Sequence, residues 1–132
     1  MSPENKQIYI VDDDASVCRA LSLLLDTFGF GVRTFVSAAE FLNSILKHVP
    51  GCLILDVHMP EMDGFALQQK LNSNGFRIPI IFMSADKNLK FSEQYFKAAG
   101  AVGFLQKPFN DQALVNLINV AVEKSSTDKT TK

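Results

Sequence analysis

The sequence predicts an open, doubly wound α/β domain on a five-stranded parallel sheet, and three observations lead there. Short apolar runs alternate with amphipathic stretches along most of the chain. The strongest runs, such as Ile80-Ile81-Phe82-Met83, are apolar without alternation, as strands covered on both faces must be. The polar residues that break the pattern fall at the ends of those runs, where the sheet of such a fold meets its ligands.

Taken in order, Gln7 to Val11 reads as a first strand. Ala15 to Phe28 carries Val17, Ala20, Leu21, Leu24, Leu25 and Phe28 at three- and four-residue steps and stops at Gly29, the signature of an amphipathic helix. Gly31 to Phe35 is a second strand, and Ser37-Ala38-Ala39-Glu40 is a capping box before Phe41, Leu42, Ile45 and Leu46. A third strand, Gly51 to Leu55, ends on Asp56, and Gly64 to Leu71 is helical. Pro79 to Met83 gives a fourth strand, Leu89 to Ala99 a fourth helix, and Val102 to Leu105 a short fifth strand. Lys107-Pro108 breaks the pattern, and Asn110 caps a last helix with Leu114, Val115, Leu117, Ile118 and Val122 on its apolar side. Right-handed crossovers of this length wind the helices onto both faces. The expected domain spans residues 1–124, and the polar stretch 125–132 reads as a disordered tail or linker stub.

With 132 residues, 47% of them hydrophobic, the chain supports one core that buries about two-thirds of its unfolded surface. A net charge of -1 argues against direct nucleic-acid binding, which needs concentrated positive charge to displace counterions. Cys18 and Cys52 fall within a predicted helix and strand, far from any C-x-x-C spacing, and read as reduced buried thiols suited to the cytoplasm. No basic-then-apolar leader and no run near the roughly 20 apolar residues of a membrane span is present, so a soluble protein without membrane contact is expected.

The candidate site follows from which residues end which strands. Asp12 and Asp13 follow the first strand, Asp56 ends the third, Ser84 ends the fourth and Lys107 follows the fifth, all on one edge. In the order 2-1-3-4-5 the winding reverses between strands one and three, so Asp12, Asp13 and Asp56 meet in that crevice. Clustered carboxylates raise one another's pKa or demand a cation, and an all-oxygen set with open positions suits Mg²⁺ (or Mn²⁺), which keeps waters and meets a phosphate. Asp56 is the candidate reactive group. A phosphoryl group would bring its charge to about -2, which Ser84 and Lys107 can answer.

Asp12-Asp13, Leu55-Asp56 with Met59-Pro60 and Asp63-Gly64, Ser84-Ala85, and Phe104 with Lys107-Pro108-Phe109 together resemble a response-regulator receiver domain of two-component signalling, over Gln7 to about Lys124. The resemblance implies a flavodoxin-like fold and an Asp56 that accepts phosphate from the phosphohistidine of a sensor histidine kinase or a phosphotransfer protein. It implies Mg²⁺ held by Asp13, Asp56 and the backbone carbonyl of His58, with Asp12 acting through water, and a cis peptide between Lys107 and Pro108. It assigns the readout to Ser84, which turns toward the phosphoryl group, and to Phe104, which follows inward. The face of the fourth helix, fifth strand and last helix then changes, with a phosphorylation-dependent homodimer as one outcome. Ser stands where Thr is the alternative and Phe where Tyr is common, so Phe104 has no hydroxyl to offer a partner. Segments 37–42 and 100–104 look like receivers of the FixJ class, whose regulators carry a C-terminal DNA-binding domain; a stand-alone shuttle is the alternative.

His58 and Asp86 lie two residues beyond Asp56 and Ser84 and are expected to flank the path of water to phosphorus, setting the lifetime of the phosphorylated state. Plainer readings apply to others: Asp14 reads as a solvated or helix-capping acid, and His48 as a surface residue at a helix end. Phe91, Tyr95 and Phe96 read as core before interface. Two rival classes share the topology or the chemistry. A haloacid-dehalogenase-like phosphatase needs a second Asp where His58 stands, and a flavodoxin-like FMN carrier needs a hydroxyl-rich phosphate loop where Asp12-Asp13-Asp14 would repel the phosphate.

Overall fold

The computed structural model describes residues 7–44, 51–86 and 100–130, with side chains described to position 123. The predicted helix at 89–99, the second half of the predicted helix after Phe41, His48 and the aromatics Phe91, Tyr95 and Phe96 lie outside the described residues. Five parallel strands, β1 (Gln7–Val11), β2 (Gly31–Phe35), β3 (Gly51–Asp56), β4 (Ile80–Ser84) and β5 (Ala101–Gln106), form one sheet in the order β2-β1-β3-β4-β5. Among the described residues the helices are α1 (Ala15–Thr27), α2 (Ala38–Ser44), α3 (Gly64–Ser73) and a C-terminal helix (Asp111–Thr130).

The central strands β1, β3 and β4 are apolar along most of their length because they supply two cores at once, whereas the edge strand β2 is largely exposed. Tyr9, Val11, Leu53, Leu55, Ile80 and Phe82 face one side, where Phe41 of α2 and Leu67 and Leu71 of α3 cover them. Ile8, Ile10, Cys52, Ile54, Ile81 and Met83 face the other, beneath Cys18, Leu21 and Leu25 of α1 and Leu114, Ile118 and Ala121 of the C-terminal helix. Successive residues point to opposite faces, so a strand buried on both sides has no polar position to offer. Each such side chain taken fully out of water contributes about 1.5–3 kcal/mol. Phe41, wholly buried, stacks edge-on against Tyr9 and Phe35 at centroid distances of 5.8 and 5.3 Å, which locks α2 to the sheet.

Local signals set the helix ends. Asp14 caps α1, its carboxylate accepting the Ser16 N–H, and these Ser16 hydrogen bonds hold its pKa low. Gly29, at φ +87°, turns the chain out of α1 into the left-handed region. The predicted box forms with an offset: the Glu40 N–H donates to Ser37 Oγ, while Glu40 Oε1 accepts the N–H of Val36, one residue before the cap. The C-terminal helix runs on through Ser125 to Thr130, since adding a residue to an existing helix costs far less than starting one. One end differs from expectation. β5 is longer than Val102 to Leu105, and its alternating burial is that of a strand less covered on one face.

Candidate functional site

Register builds the site. Val11 lies opposite Leu55, and Asp56 opposite Met83, so Asp12, Asp56 and Ser84 stand side by side where three neighbouring strands end. Asp12 is fixed on every side: its N–H donates to the Phe35 carbonyl at 3.1 Å, its Oδ1 accepts the Asp14 N–H at 2.9 Å, and its Oδ2 accepts Lys107 Nζ at 2.9 Å. The same ammonium lies 3.5 Å from Asp56 Oδ1. Asp12, Asp56 and Ser84 are buried, Asp13 is exposed at the lip, and Lys107 is about a quarter exposed at 23%.

Electrostatics follow from that crowding. Burial first, then the negative charges of Asp12 and Asp13, push Asp56 up to about 6, against the opposing pull of Lys107. For Lys107, burial alone would depress the ammonium, but its hydrogen bond and charge contact with Asp12, and then Asp56, outweigh burial and raise its pKa. Burial first and Asp12 second also raise the Cys18 thiol, which therefore stays protonated.

Asp12, Asp13 and Asp56 each bring a carboxylate oxygen within 4.8 Å of the other two. Three hard oxygens so close, with one lip position open to water, fit the ligand preferences of Mg²⁺. Gly64, in the loop that returns from Asp56, is required by contact: a Cβ there would sit 2.7 Å from the Asp56 carbonyl oxygen.

The remaining residues singled out by the sequence are distributed around this centre. Ser84 Oγ accepts the Asp86 N–H at 2.9 Å, and the Ser84 carbonyl accepts the Lys107 N–H at 2.7 Å, tying β4 to the end of β5. The Lys107–Pro108 peptide is cis. Phe104 is half-buried against the core on the α3 side. His58 and Asp86, from different loops, come within 3.6 Å of each other, Nε2 to Oδ2, at the solvent side. The sequence reading passed over Cys18 as a buried thiol; its Sγ lies 3.4 Å from the Asp12 carbonyl oxygen and 3.8 Å from that of Phe35. Its place one turn into the helix that follows the acids was the available signal.

A buried strand-end carboxylate, two flanking acids and one lysine at the crest of a 2-1-3-4-5 sheet define a flavodoxin-like domain with an acidic, cation-accepting crevice. The model of the response regulator receiver domain matches residues 8–119, and the chain belongs to that family of two-component signalling domains. It is 43% identical to the response regulator protein TmoT of Ectopseudomonas mendocina over 98% of this chain and 58% of that protein. It is 36% identical to the transcriptional regulatory protein FixJ of Bradyrhizobium diazoefficiens over 89% of this chain and 57% of that one. Among solved structures, the response regulator StyR superposes with a TM-score of 0.88 at 37% identity, covering 96% of this chain and 63% of that one. The chain thus spans little more than half the length of the curated relatives it matches. Receiver domains generally bind Mg²⁺ at an acidic pocket and take their signal from a sensor kinase, which agrees with the cluster seen here. Among the described residues, no helix is long and apolar enough to cross a membrane.

Proposed function

We propose that Asp56 is the phosphoacceptor, receiving the phosphoryl group from a phosphohistidine of a sensor histidine kinase or phosphotransfer protein. The observation that carries this is the convergence of Asp12, Asp13 and Asp56 within 4.8 Å, with Lys107 against two of them. A carboxylate oxygen of Asp56 bonds to phosphorus as the phosphorus–nitrogen bond of the donor breaks, and the electron pair leaves with the imidazole. Asp13, Asp56 and the His58 backbone carbonyl would hold Mg²⁺ (or Mn²⁺), with Asp12 acting through water. When bound, the ion offsets the charge on the transferring phosphoryl oxygens. Lys107, 3.5 Å from Asp56, supplies a second positive charge. The Ser84 hydroxyl donates to a phosphoryl oxygen, and Phe104 follows into the space that it leaves. The domain acts as a switch that performs only its own phosphorylation and dephosphorylation, and is not a turnover enzyme.

His58 and Asp86, clasped at 3.6 Å, shield the approach of water and tune the lifetime of the phosphorylated state. The output is a changed face around β5 and the C-terminal helix, read by a second copy of the domain or by an attached domain. The relatives' greater length and the printed description of FixJ as transcriptional support an output in transcription control, through a DNA-binding segment outside this domain. The reading places the protein in the cytoplasm. Incubation with acetyl phosphate and Mg²⁺ should add one phosphoryl group by intact mass; equal labelling of Asp56→Asn, or labelling indifferent to Mg²⁺, would refute the assignment.

A further inference from the structure

We propose that Cys18 is a positioning residue of the cation site, its S–H clamping the peptide unit between Asp12 and Asp13. The inference rests on the reading of Asp13 and Asp56 as Mg²⁺ ligands. A hydroxyl or thiol inside a helix ordinarily turns back to the carbonyl three or four residues earlier in its own helix. Cys18 does not: its backbone N–H takes the Asp14 carbonyl at 3.2 Å, while its side chain leaves the helix for the Asp12 carbonyl at the end of β1. The Phe35 carbonyl, which receives the Asp12 N–H, lies 3.8 Å from the same sulfur. One buried sulfur therefore bridges α1, the end of β1 and the end of β2, with only 4% of the residue exposed.

What this fixes is an orientation. The Asp12 carbonyl and the Asp13 N–H belong to one planar peptide, so holding the oxygen sets the rotation of the whole plane. That rotation sets the directions in which the Asp12 and Asp13 side chains leave the backbone. Asp12 is also held through its own carboxylate, but Asp13 is exposed, and no hydrogen bond to its carboxylate is recorded among the described residues. The aim of the Asp13 carboxylate therefore depends on the peptide behind it. Partners that orient ligands change metal affinity by about 10–100-fold, and a thiol donor is weaker than the usual partner, so an effect of about threefold to tenfold is expected.

The test titrates Mg²⁺ into the metal-free protein, following the amide resonances of Asp13 and Asp56, for the parent, Cys18→Ala, Cys18→Ser and Cys18→Val, with urea unfolding of each in EDTA. Cys18→Ala and Cys18→Val should weaken Mg²⁺ binding about threefold to tenfold, and Cys18→Ser, which keeps a donor, should return to within about twofold of the parent. Loss of stability alone, with Mg²⁺ affinity unchanged in Cys18→Ala and Cys18→Val, overturns the proposal and leaves Cys18 as packing. An equal loss of affinity in Cys18→Ser and Cys18→Ala overturns it as well. A parent that shows no Mg²⁺-dependent shifts refutes the cation site itself, a different failure read before any variant is compared.

Discussion

Removing the charge of Asp56 should stabilise the metal-free protein, by an amount that depends on pH. The carboxyl is pushed up to about 6 in the folded chain, from an ordinary 3.8. Between those values the native state keeps its proton while the unfolded state has released it, so the native state binds more protons and loses stability as pH rises. The loss is small below about pH 4 and complete above about pH 6. At about 1.4 kcal/mol per unit of pKa, the full cost is about 3 kcal/mol. Asp56→Asn removes it, and because the pull of Lys107 is already counted in the net shift, the gain at pH 8 is about 2–3 kcal/mol. At pH 4.5 most of the cost has not yet arisen, and the gain should fall to about a third. Thermal melts in EDTA at both pH values measure this; about 2 kcal/mol corresponds to a rise in Tm of about 5–10 °C at pH 8. Mg²⁺ should narrow the difference by stabilising the parent alone. If Asp56→Asn melts with or below the parent at pH 8, or gains equally at both pH values, the acid is not held at a cost and the electrostatic account of the crevice fails.

Lys107→Met strands Asp12, only 1% exposed, without its cation, and should cost about 3 kcal/mol by urea unfolding in EDTA, with Mg²⁺ restoring part of the loss. Gly64→Ala forces a methyl against the Asp56 carbonyl and should destabilise by about 1–3 kcal/mol while slowing phosphorylation by acetyl phosphate; a neutral variant would show the loop to be pliant. Phe41→Ala should cost about 3–5 kcal/mol in urea and leave the Mg²⁺ affinity within twofold, since the ring holds α2 against Tyr9 and Phe35. His58→Ala and Asp86→Ala should each change the dephosphorylation half-life by more than twofold; if neither does, the clasp between them is incidental.

Much of this architecture is readable in the chain because a buried parallel strand leaves no choice of residue. Leu53-Ile54-Leu55 and Ile80-Ile81-Phe82-Met83 serve two cores and can be nothing but apolar. Asp12, Asp56 and Ser84 are readable for the complementary reason, as polar residues that end such runs in matching register. The end of the last helix is not readable, because Ser125 to Thr130 carries no apolar period and its helicity depends on the turns before it. Nor is the reach of Cys18 to Asp12: sequence shows a small apolar residue on the inner face of α1, and only the packing distance reveals a donor. The meeting of His58 with Asp86 belongs to the same kind, since two loops close a gap that neither encodes alone.

Lys107 sits nearer to Asp12 than to Asp56, 2.9 Å against 3.5 Å. Had the ammonium paired fully with Asp56, it would have drawn electron density from the carboxylate and lowered its basicity, and a weaker base is a weaker nucleophile. Leaning on the neighbour instead, the lysine screens the crevice while the lone pairs of Asp56 stay less committed. On the proposed role of Asp56, an oxygen less committed to Lys107 is left to meet phosphorus, while the ammonium, anchored on Asp12, already stands beside the charge that a phosphoryl group would bring.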